Sequence, residues 1–221
     1  MKKNKSGPVS ALPRFKAVVF YVLCLLVTIS FWAGCVQSKV KNKASKGKNI
    51  ICFGDSMTFG YGADPGEDYP ARLAKKIGVP VINAGVDGDT SIEGLKRLSA
   101  DVLEKSPLLV IVEFGGNDFL EKVPLDVTVK NIKEMADRIH ATGSMVALVD
   151  PSAGMILSGY WWEFSKIAKE KELIFIPGVL NGIITNPELK SDFLHPNGKG
   201  YDLMSQRIYR AIRPYLKKDG S

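Results

Sequence analysis

The chain has 221 residues, 45% of them hydrophobic, which is enough apolar material for one folded domain of ordinary size. The formal net charge of +7 would suit a nucleic-acid-binding protein, but residues 1–48 hold ten Lys or Arg and no acid. Residues 49–221 carry 20 basic and 23 acidic side chains, so the body is mildly acidic and a nucleic-acid partner is not expected.

The basic leader has the order of an export signal. Residues 1–16 are basic, residues 17–34 form an uncharged apolar run, and Cys35 follows directly. The ending "WAGC" resembles the bacterial lipobox, in which cleavage before the cysteine is followed by attachment of lipid to it. This sequence has Trp32 where that motif usually has Leu. We expect residues 1–34 to be a signal peptide and Cys35 to carry lipid.

A retained signal anchor is the alternative interpretation of residues 1–34. The 18 residues of the apolar run, at a rise of 1.5 Å each, would span about 27 Å as a helix, close to a bilayer's hydrocarbon thickness. Both interpretations place the body in the bacterial cell envelope, anchored to a membrane outside the cytoplasm. Residues 35–48 are polar and basic without periodicity, which predicts a flexible tether able to lie against anionic lipid head groups.

The three cysteines do not suggest a disulfide framework or a metal site. Cys24 lies in the apolar run and Cys35 is the predicted lipid-attachment residue. This leaves Cys52 alone in a predicted strand, where we expect it to be a small buried hydrophobic residue.

From residue 49 onward, short apolar runs alternate with amphipathic stretches. The apolar runs predict five strands, in "NIICFG", "VPVINAG", "LLVIVEFGG", "SMVALVD" and "LIFIPG". Helical spacing occurs in "YPARLAKKIG", "SIEGLKRLSADVLEK", "VTVKNIKEMADRIHATG", "YWWEFSKIAKEKE" and a last stretch over about residues 197–216. The alternation predicts an α/β fold, a three-layer α/β/α sandwich around a flavodoxin-like five-stranded parallel sheet. Ligands of such a sheet gather at the carboxyl ends of its strands.

Three of the predicted strands are followed by segments whose residues could take part in catalysis or binding. "FGDSMT" places Ser56 where a strand gives way to a turn, as a helix cap or as a nucleophile. "NAGVDGDT" offers the backbone N–H of Gly85, beside Asp89 and Thr90 as possible caps of the next helix. "EFGGNDF" offers Asn117, as a local turn residue or as a donor to a substrate. Each segment taken alone is explained equally well or better by local structure.

A fourth segment, "SDFLHPNGKG", shifts the balance toward a catalytic site. Asp192 and His195 lie three residues apart, immediately before a proline that opens the last helix, so both can project toward one edge of the sheet. A carboxylate that accepts a hydrogen bond from histidine Nδ1 leaves Nε2 free to take a proton from a serine. His140 lies in a predicted helix without an acid or nucleophile nearby, and we expect a structural role for it.

Taken together, "GDSMT", "NAGVDGDTS", "FGGND" and "DFLHPN" resemble the four ordered blocks of the SGNH hydrolases, also called the GDSL esterase family. The likeness covers nearly all of residues 49–221 and is nearest to bacterial periplasmic thioesterase, lysophospholipase and arylesterase enzymes. Met57 stands where the family often has Leu. The resemblance implies the SGNH hydrolase fold, Ser56 as nucleophile with Asp192 and His195, and an oxyanion hole from Ser56, Gly85 and Asn117.

This family reading implies hydrolysis of small esters, thioesters or lysolipids, without a metal or organic cofactor. A competing interpretation takes "FGDSMTFGYG" as an anion cradle of a flavin or nucleotide binder. In that case Asp55 would repel a phosphate, and Asp192 with His195 would have no role. An acetyl esterase acting on envelope polysaccharide is the alternative within the same family.

Apolar residues near the predicted site favour acyl chains over sugars. They are Phe119, Leu120, Met155, Ile156, Leu157, Tyr160, Trp161 and Trp162. Helical spacing predicts that Trp162 and Phe164 belong to the core instead. We therefore expect a preference for short to medium acyl esters or lysolipid-like substrates over acetyl groups.

Overall fold

The structure is a computed structural model that describes residues 39–152 and 157–216. The predicted signal segment, the predicted lipid-attachment residue Cys35, and Met155 and Ile156 of the predicted acyl site lie outside the described residues. Among the helices that the structure describes, none has the length and apolar character needed to cross a membrane.

Five parallel strands form a single sheet, as the apolar runs predict. They are β1 (Asn49–Gly54), β2 (Val81–Gly85), β3 (Pro107–Glu113), β4 (Met145–Val149) and β5 (Ile174–Ile176). Their order is β2-β1-β3-β4-β5, the flavodoxin-like order. In this register Gly54 of β1 pairs with both Gly85 of β2 and Glu113 of β3, so three strands end side by side.

Seven α-helices accompany the sheet in the described part of the chain. They are α1 (Ser56–Phe59), α2 (Tyr69–Ile77), α3 (Ser91–Asp101), α4 (Gly116–Leu120), α5 (Leu125–Ala141), α6 (Ser158–Glu170) and α7 (Gly198–Ile212). Short 3₁₀ turns occupy Leu103–Lys105, Pro187–Leu189 and Arg213–Tyr215. The five longer helices agree with the predicted ones, whereas the apolar pattern did not indicate the short helices α1 and α4.

Two hydrophobic cores lie on opposite faces of the sheet. Successive residues of β1 alternate between them, since Ile50 and Cys52 face one core while Ile51 and Phe53 face the other. Helices α2 and α7 cover the first face, and helices α3, α5 and α6 cover the second. The fold is therefore the predicted three-layer α/β/α sandwich, with Cys52 fully buried as expected.

Some local predictions need correction. Thr90 caps α3 and forms a capping box with Glu93, whereas Asp89 is engaged by an arginine instead. Phe164 is buried in the core as predicted, but Trp162 is 60% exposed. Trp162 stacks on the ring of Trp161 at the surface of α6, because both residues fall outside the buried stripe of that helix.

The described part of the predicted tether packs against the body. Val40 is buried in the first core, and the Asn42 side chain donates to the carbonyl oxygens of His140 and Ser144, each at 3.0 Å. The Lys48 N–H donates to the Ser106 carbonyl at 2.9 Å. Residues 39–48 therefore do not behave as the flexible linker that their polar composition predicts, because a few side chains and backbone groups among them find partners at the amino ends of the strands.

Candidate active site

Ser56 is held at the carboxyl end of the central strands. It is the first residue of α1, and the Asp55 side chain caps this short helix by accepting the Met57 N–H at 2.9 Å. A Cβ atom on Gly54 would lie 2.4 Å from the Glu113 carbonyl oxygen, so only glycine allows β1 to run this close to β3 before the turn. Asp55 is thus the helix cap, which leaves the Ser56 hydroxyl free to face its surroundings.

His195 links Ser56 to Asp192. Its Nε2 atom lies 3.0 Å from Ser56 Oγ, and its Nδ1 atom lies 2.8 Å from Asp192 Oδ2. Asp192 Oδ1 also accepts the backbone N–H groups of Leu194 and His195, both at 2.8 Å. Partial burial acts to raise the pKa of Asp192, but these hydrogen bonds outweigh it and lower the pKa to about 2. An ionised Asp192 can therefore hold the imidazole with Nε2 toward the serine.

An aromatic ring supports the histidine. The ring of Tyr61 lies 4.5 Å from the imidazole of His195, measured between centroids, and the Tyr61 carbonyl accepts a hydrogen bond from the hydroxyl of Tyr201 at 2.9 Å. Tyr201 is fully buried in α7, so it fixes the Gly-rich loop that carries Tyr61. Sequence reasoning missed Tyr61, because a single tyrosine in a glycine-rich loop carries no motif.

Asn117 faces the site, while the backbone N–H of Gly85 is already used. The Asn117 side-chain amide donates one hydrogen bond to the Asp89 carbonyl at 3.0 Å, which leaves its second hydrogen for another acceptor. The Gly85 N–H donates to Asn83 Oδ1 at 2.9 Å. A Cβ atom on Gly85 would lie 2.1 Å from the Phe59 nitrogen, so Gly85 is the point where β2 meets α1. The lack of a side chain at Gly85 allows this close packing. The Gly85 N–H is not free for an oxyanion.

Arg97 ties the loops of the site together, a role that the sequence did not indicate. Its guanidinium group forms ion pairs with Asp89 at 2.5 Å and Asp101 at 2.9 Å, and donates to the carbonyl oxygens of Gly54 and Ala84. It also lies over the ring of Phe53, with 4.5 Å from its central carbon to the ring centroid. The ends of β1 and β2 and the turn before α3 are thereby fixed together.

A cavity of about 160 Å³ opens beside Ser56 and His195. Most of its lining is apolar and comes from Met57, Phe119, Leu120, Pro151, Leu157, Leu180, Ile184 and Leu194. Phe119, Leu120 and Leu157 are among the residues predicted for an acyl site, whereas Leu180 and Ile184 were missed because they lie in a loop without periodicity. Tyr160 is buried and Trp161 lies outside this cavity.

No cluster of three or more His, Cys, Asp or Glu side chains suited to a metal ion occurs within residues 39–152 and 157–216. His140, the other histidine of the body, is buried on α5 far along the chain from these loops, and its Nε2 atom has no hydrogen-bond partner in the described structure. The predicted Ser56, Asp192, His195 and Asn117 are thus brought to one sheet edge, and His140 is not among them.

A serine, a histidine and an aspartate in hydrogen-bonded series at the carboxyl edge of a parallel sheet define the class of protein, a serine hydrolase on an α/β/α sandwich. Residues 52–203 match the GDSL-like lipase/acylhydrolase family, and the chain belongs to that family. The resemblance seen in the sequence blocks is thereby confirmed.

Individual relatives are similar over most of their length. Esterase TesA of Pseudomonas aeruginosa is 26% identical over 195 residues, which cover 83% of this chain and 97% of that protein. Thioesterase 1/protease 1/lysophospholipase L1 of Escherichia coli (strain K12) is 25% identical, covering 80% of this chain and 89% of that protein. A crystal structure of TesA superposes with a TM-score of 0.70 at 27% identity, covering 76% of this chain and all (100%) of the other.

Proposed function

We propose that the protein hydrolyses carboxylic esters or thioesters through an acyl-enzyme formed on Ser56. The observation that carries this proposal is the continuous hydrogen-bonded series from Asp192 through His195 to Ser56, with 2.8 Å and 3.0 Å between the bonded atoms. These separations lie within the reach that proton transfer between a nucleophile and its base requires.

The reaction proceeds in two halves. His195 Nε2 removes the proton from Ser56 as its oxygen attacks the substrate carbonyl carbon, and the same proton then passes to the departing alcohol or thiol. Water, deprotonated by His195, next attacks the acyl-enzyme, and the carboxylic acid leaves as Ser56 regains its proton. Asp192 stays ionised throughout and stabilises the imidazolium, in keeping with the lowered pKa of its carboxyl group.

The oxyanion of the tetrahedral intermediate requires preorganised N–H donors. The second amide hydrogen of Asn117 and the backbone N–H of Ser56 supply two, since Ser56 N donates to no acceptor among the described residues. As the third donor we propose the backbone N–H of Gly88 instead of the backbone N–H of Gly85. The Gly88 N–H likewise has no partner in the described structure, and the bond from Asn117 to the Asp89 carbonyl holds the adjacent turn beside the site.

The cavity supports an acyl-binding site for short to medium chains. Its largely apolar lining offers few of the convergent polar groups that sugar hydroxyls need, and its volume of about 160 Å³ limits the chain that fits. We therefore favour small alkyl or aryl esters, thioesters and lysolipid-like molecules as substrates. An acetyl esterase acting on envelope polysaccharide is the alternative within the same mechanism.

Labelling with a fluorophosphonate tests the nucleophile. The probe phosphonylates an activated serine, so we expect a single adduct on the peptide containing Ser56 and simultaneous loss of ester hydrolysis. An adduct on another serine, or hydrolysis that survives complete labelling, would contradict the proposal. Rates on a series of esters from acetyl to octanoyl, beside an acetylated sugar, distinguish the two substrate classes.

For localisation we propose that the mature protein is a lipoprotein of the bacterial envelope, attached through Cys35. The order of basic, apolar and small residues before Cys35 supports export and cleavage. Within the body, the exposed lysines that precede β1 lie at the amino ends of the strands, away from Ser56, where they suit contact with anionic head groups; they are Lys39, Lys41, Lys43, Lys46 and Lys48.

Mass spectrometry of protein extracted from membranes tests this localisation. We expect an N-terminal peptide that begins with lipid-modified Cys35. A peptide that retains Met1 would support the signal anchor, and recovery of unmodified protein from the soluble fraction would contradict both forms of attachment.

A further inference from the structure

Two buried carboxyl groups lie directly behind the nucleophile. Asp55 precedes Ser56 at the end of β1, and Glu113 ends the neighbouring strand β3. Asp55 is 3% exposed and Glu113 is 4% exposed, and both contribute to the wall of the catalytic cavity. Neither forms an ion pair with a Lys, Arg or His among the described residues. The reaction scheme above uses neither group, so their burial without a cation requires another explanation.

Hydrogen bonds show how this pair is held. One oxygen of Asp55 accepts the Met57 N–H that begins α1, and Glu113 Oε2 accepts from the Thr58 hydroxyl at 3.0 Å. Thr58 in turn shares a hydrogen bond of 2.9 Å with the buried hydroxyl of Tyr69. Asp55 follows Gly54, which pairs with Glu113 across β1 and β3, so the two carboxyl groups stand at neighbouring strand ends and line the same cavity. Two ionised carboxylates are both acceptors, so a hydrogen bond between these two groups would require a proton.

Burial favours the retention of a proton by this pair. It raises the pKa of both carboxyl groups, and the nearby charge of Glu113 raises the pKa of Asp55 further. The other titratable side chains that face the pair are Cys52 on β1, Tyr69 on α2 and Tyr201 on α7, whose pKa values burial raises, and His195 across the cavity. The three buried ones stay neutral near pH 7, so they place no charge beside the pair.

We propose that Asp55 and Glu113 act as a positioning pair that shares a single proton, and that ester hydrolysis requires this proton to be retained. The proposal rests on Ser56 being the nucleophile. The shared proton fixes Asp55 against Glu113, and Asp55 fixes the first turn of α1, which sets the direction of the Ser56 hydroxyl and backbone N–H. Loss of the proton would place two negative charges beside each other at the base of the catalytic cavity.

The second negative charge would act at the site of reaction in two ways. It would repel Asp55 from Glu113 and loosen the cap of α1, and it would oppose the negative charge that develops on the substrate oxygen beside Ser56. A single negative charge on the pair is favourable instead, because it helps to stabilise the imidazolium that His195 becomes. The pair therefore favours the reaction in its singly charged form.

Two conservative variants test the proposal through the pH dependence of kcat. Asp55→Asn copies the protonated form, since its amide oxygen can accept the Met57 N–H and its amide hydrogen can reach Glu113. In Glu113→Gln, the side-chain amide of the new residue donates a hydrogen bond to an ionised Asp55 instead. Each keeps one negative charge and has no shared proton to lose. We expect kcat of the wild-type protein to fall as pH rises through the raised pKa of the pair, and each variant to keep its neutral kcat within about tenfold without that alkaline decline.

Two further variants serve as comparisons. Glu113→Leu removes the carboxyl group and with it the proposed hydrogen bond to Asp55, and we expect kcat to fall by at least tenfold at neutral pH with little change in KM. Asp150→Asn alters a carboxylate that is equally buried but lies outside the catalytic cavity, where it accepts from Ser152 and Gly178. Asp150→Asn should keep the alkaline decline of the wild-type protein. An identical decline in both Asp55→Asn and Glu113→Gln would overturn the proposal.

Infrared spectroscopy detects the proton without reference to activity. The C=O stretching band of a buried protonated carboxyl group should be present at neutral pH in the wild-type protein and in Ser56→Ala, and absent from Glu113→Gln. Absence of the band from the wild-type protein would contradict the shared proton. If the band is present but the wild-type protein hydrolyses no ester, the proposed function fails while the pair itself is retained.

Discussion

His195 Nε2 lies 3.0 Å from Ser56 Oγ, although 139 positions separate the two residues in the chain. Ser56 lies at the end of β1, and His195 lies in the loop before α7. Helix α7 packs on the sheet beside α2. The His195 loop is fixed locally, since the His195 carbonyl accepts the Ser191 N–H at 2.9 Å. Two rigid elements therefore bring the proposed nucleophile and its proposed base to one point.

Replacing either member of this pair should abolish hydrolysis. We expect Ser56→Ala and His195→Ala each to lower kcat by about 10⁴-fold or more, and the double variant to lose little further, because the two side chains act as one unit. Ser165→Ala, on the outer surface of α6, should keep full activity and serves as the control. If Ser56→Ala retained more than about a few per cent of activity with an unchanged circular dichroism spectrum, another nucleophile would be at work.

Asn117 should act on the transition state rather than on binding. Asn117→Ala removes an amide hydrogen that meets charge present only as the oxyanion forms, so kcat should fall by about 10² to 10³-fold with KM little changed. Asn181→Ala, at an exposed asparagine in the loop after β5, is the matched control and should leave both constants unchanged. A change confined to KM would place Asn117 in substrate binding.

The apolar cavity should set the acyl preference. Each CH₂ group buried contributes about 0.8 kcal/mol, so kcat/KM should rise by one to two orders of magnitude over a few added carbons and then level off where the cavity ends. Ile184→Phe would fill part of the roughly 160 Å³ and should move that limit to shorter chains. Faster deacetylation of sugars than cleavage of butyryl or hexanoyl esters would instead support the polysaccharide alternative.

His140 should make the fold sensitive to acid. Burial first, and then the positive charge of Lys41, lowers the pKa of His140 to about 4, compared with about 6.5 in an unfolded chain. The unfolded state thus binds a proton that the folded state does not, so stability is complete above about pH 6.5 and falls as pH decreases toward 4. We expect a loss of about 1 to 3 kcal/mol across this range in urea unfolding, and a smaller loss in His140→Gln. Equal losses in both proteins would contradict this origin.

The strands and long helices were predictable because their signals are local. Runs such as "NIICFG" and "LLVIVEFGG" are apolar throughout, which suits strands buried on both faces, and the longer helices show the period of an amphipathic surface. Residues 39–48 were not predictable in the same way. Their composition is that of a linker, and only contacts such as those of Asn42 with His140 and Ser144 show that they belong to the body.

By itself, the sequence determined the fold class, the family and the four segments that meet at the site, since these depend on residue type and order along the chain. It could not show that the Gly85 N–H is occupied, because that depends on the position of the Asn83 side chain in the folded chain. Nor could it find Tyr61 beside His195, Arg97 between the loops, or the shared burial of Asp55 and Glu113. These features were decided by the tertiary structure alone, because strand order and helix packing fix which side chains, distant in the chain, become neighbours and which of them lose contact with water.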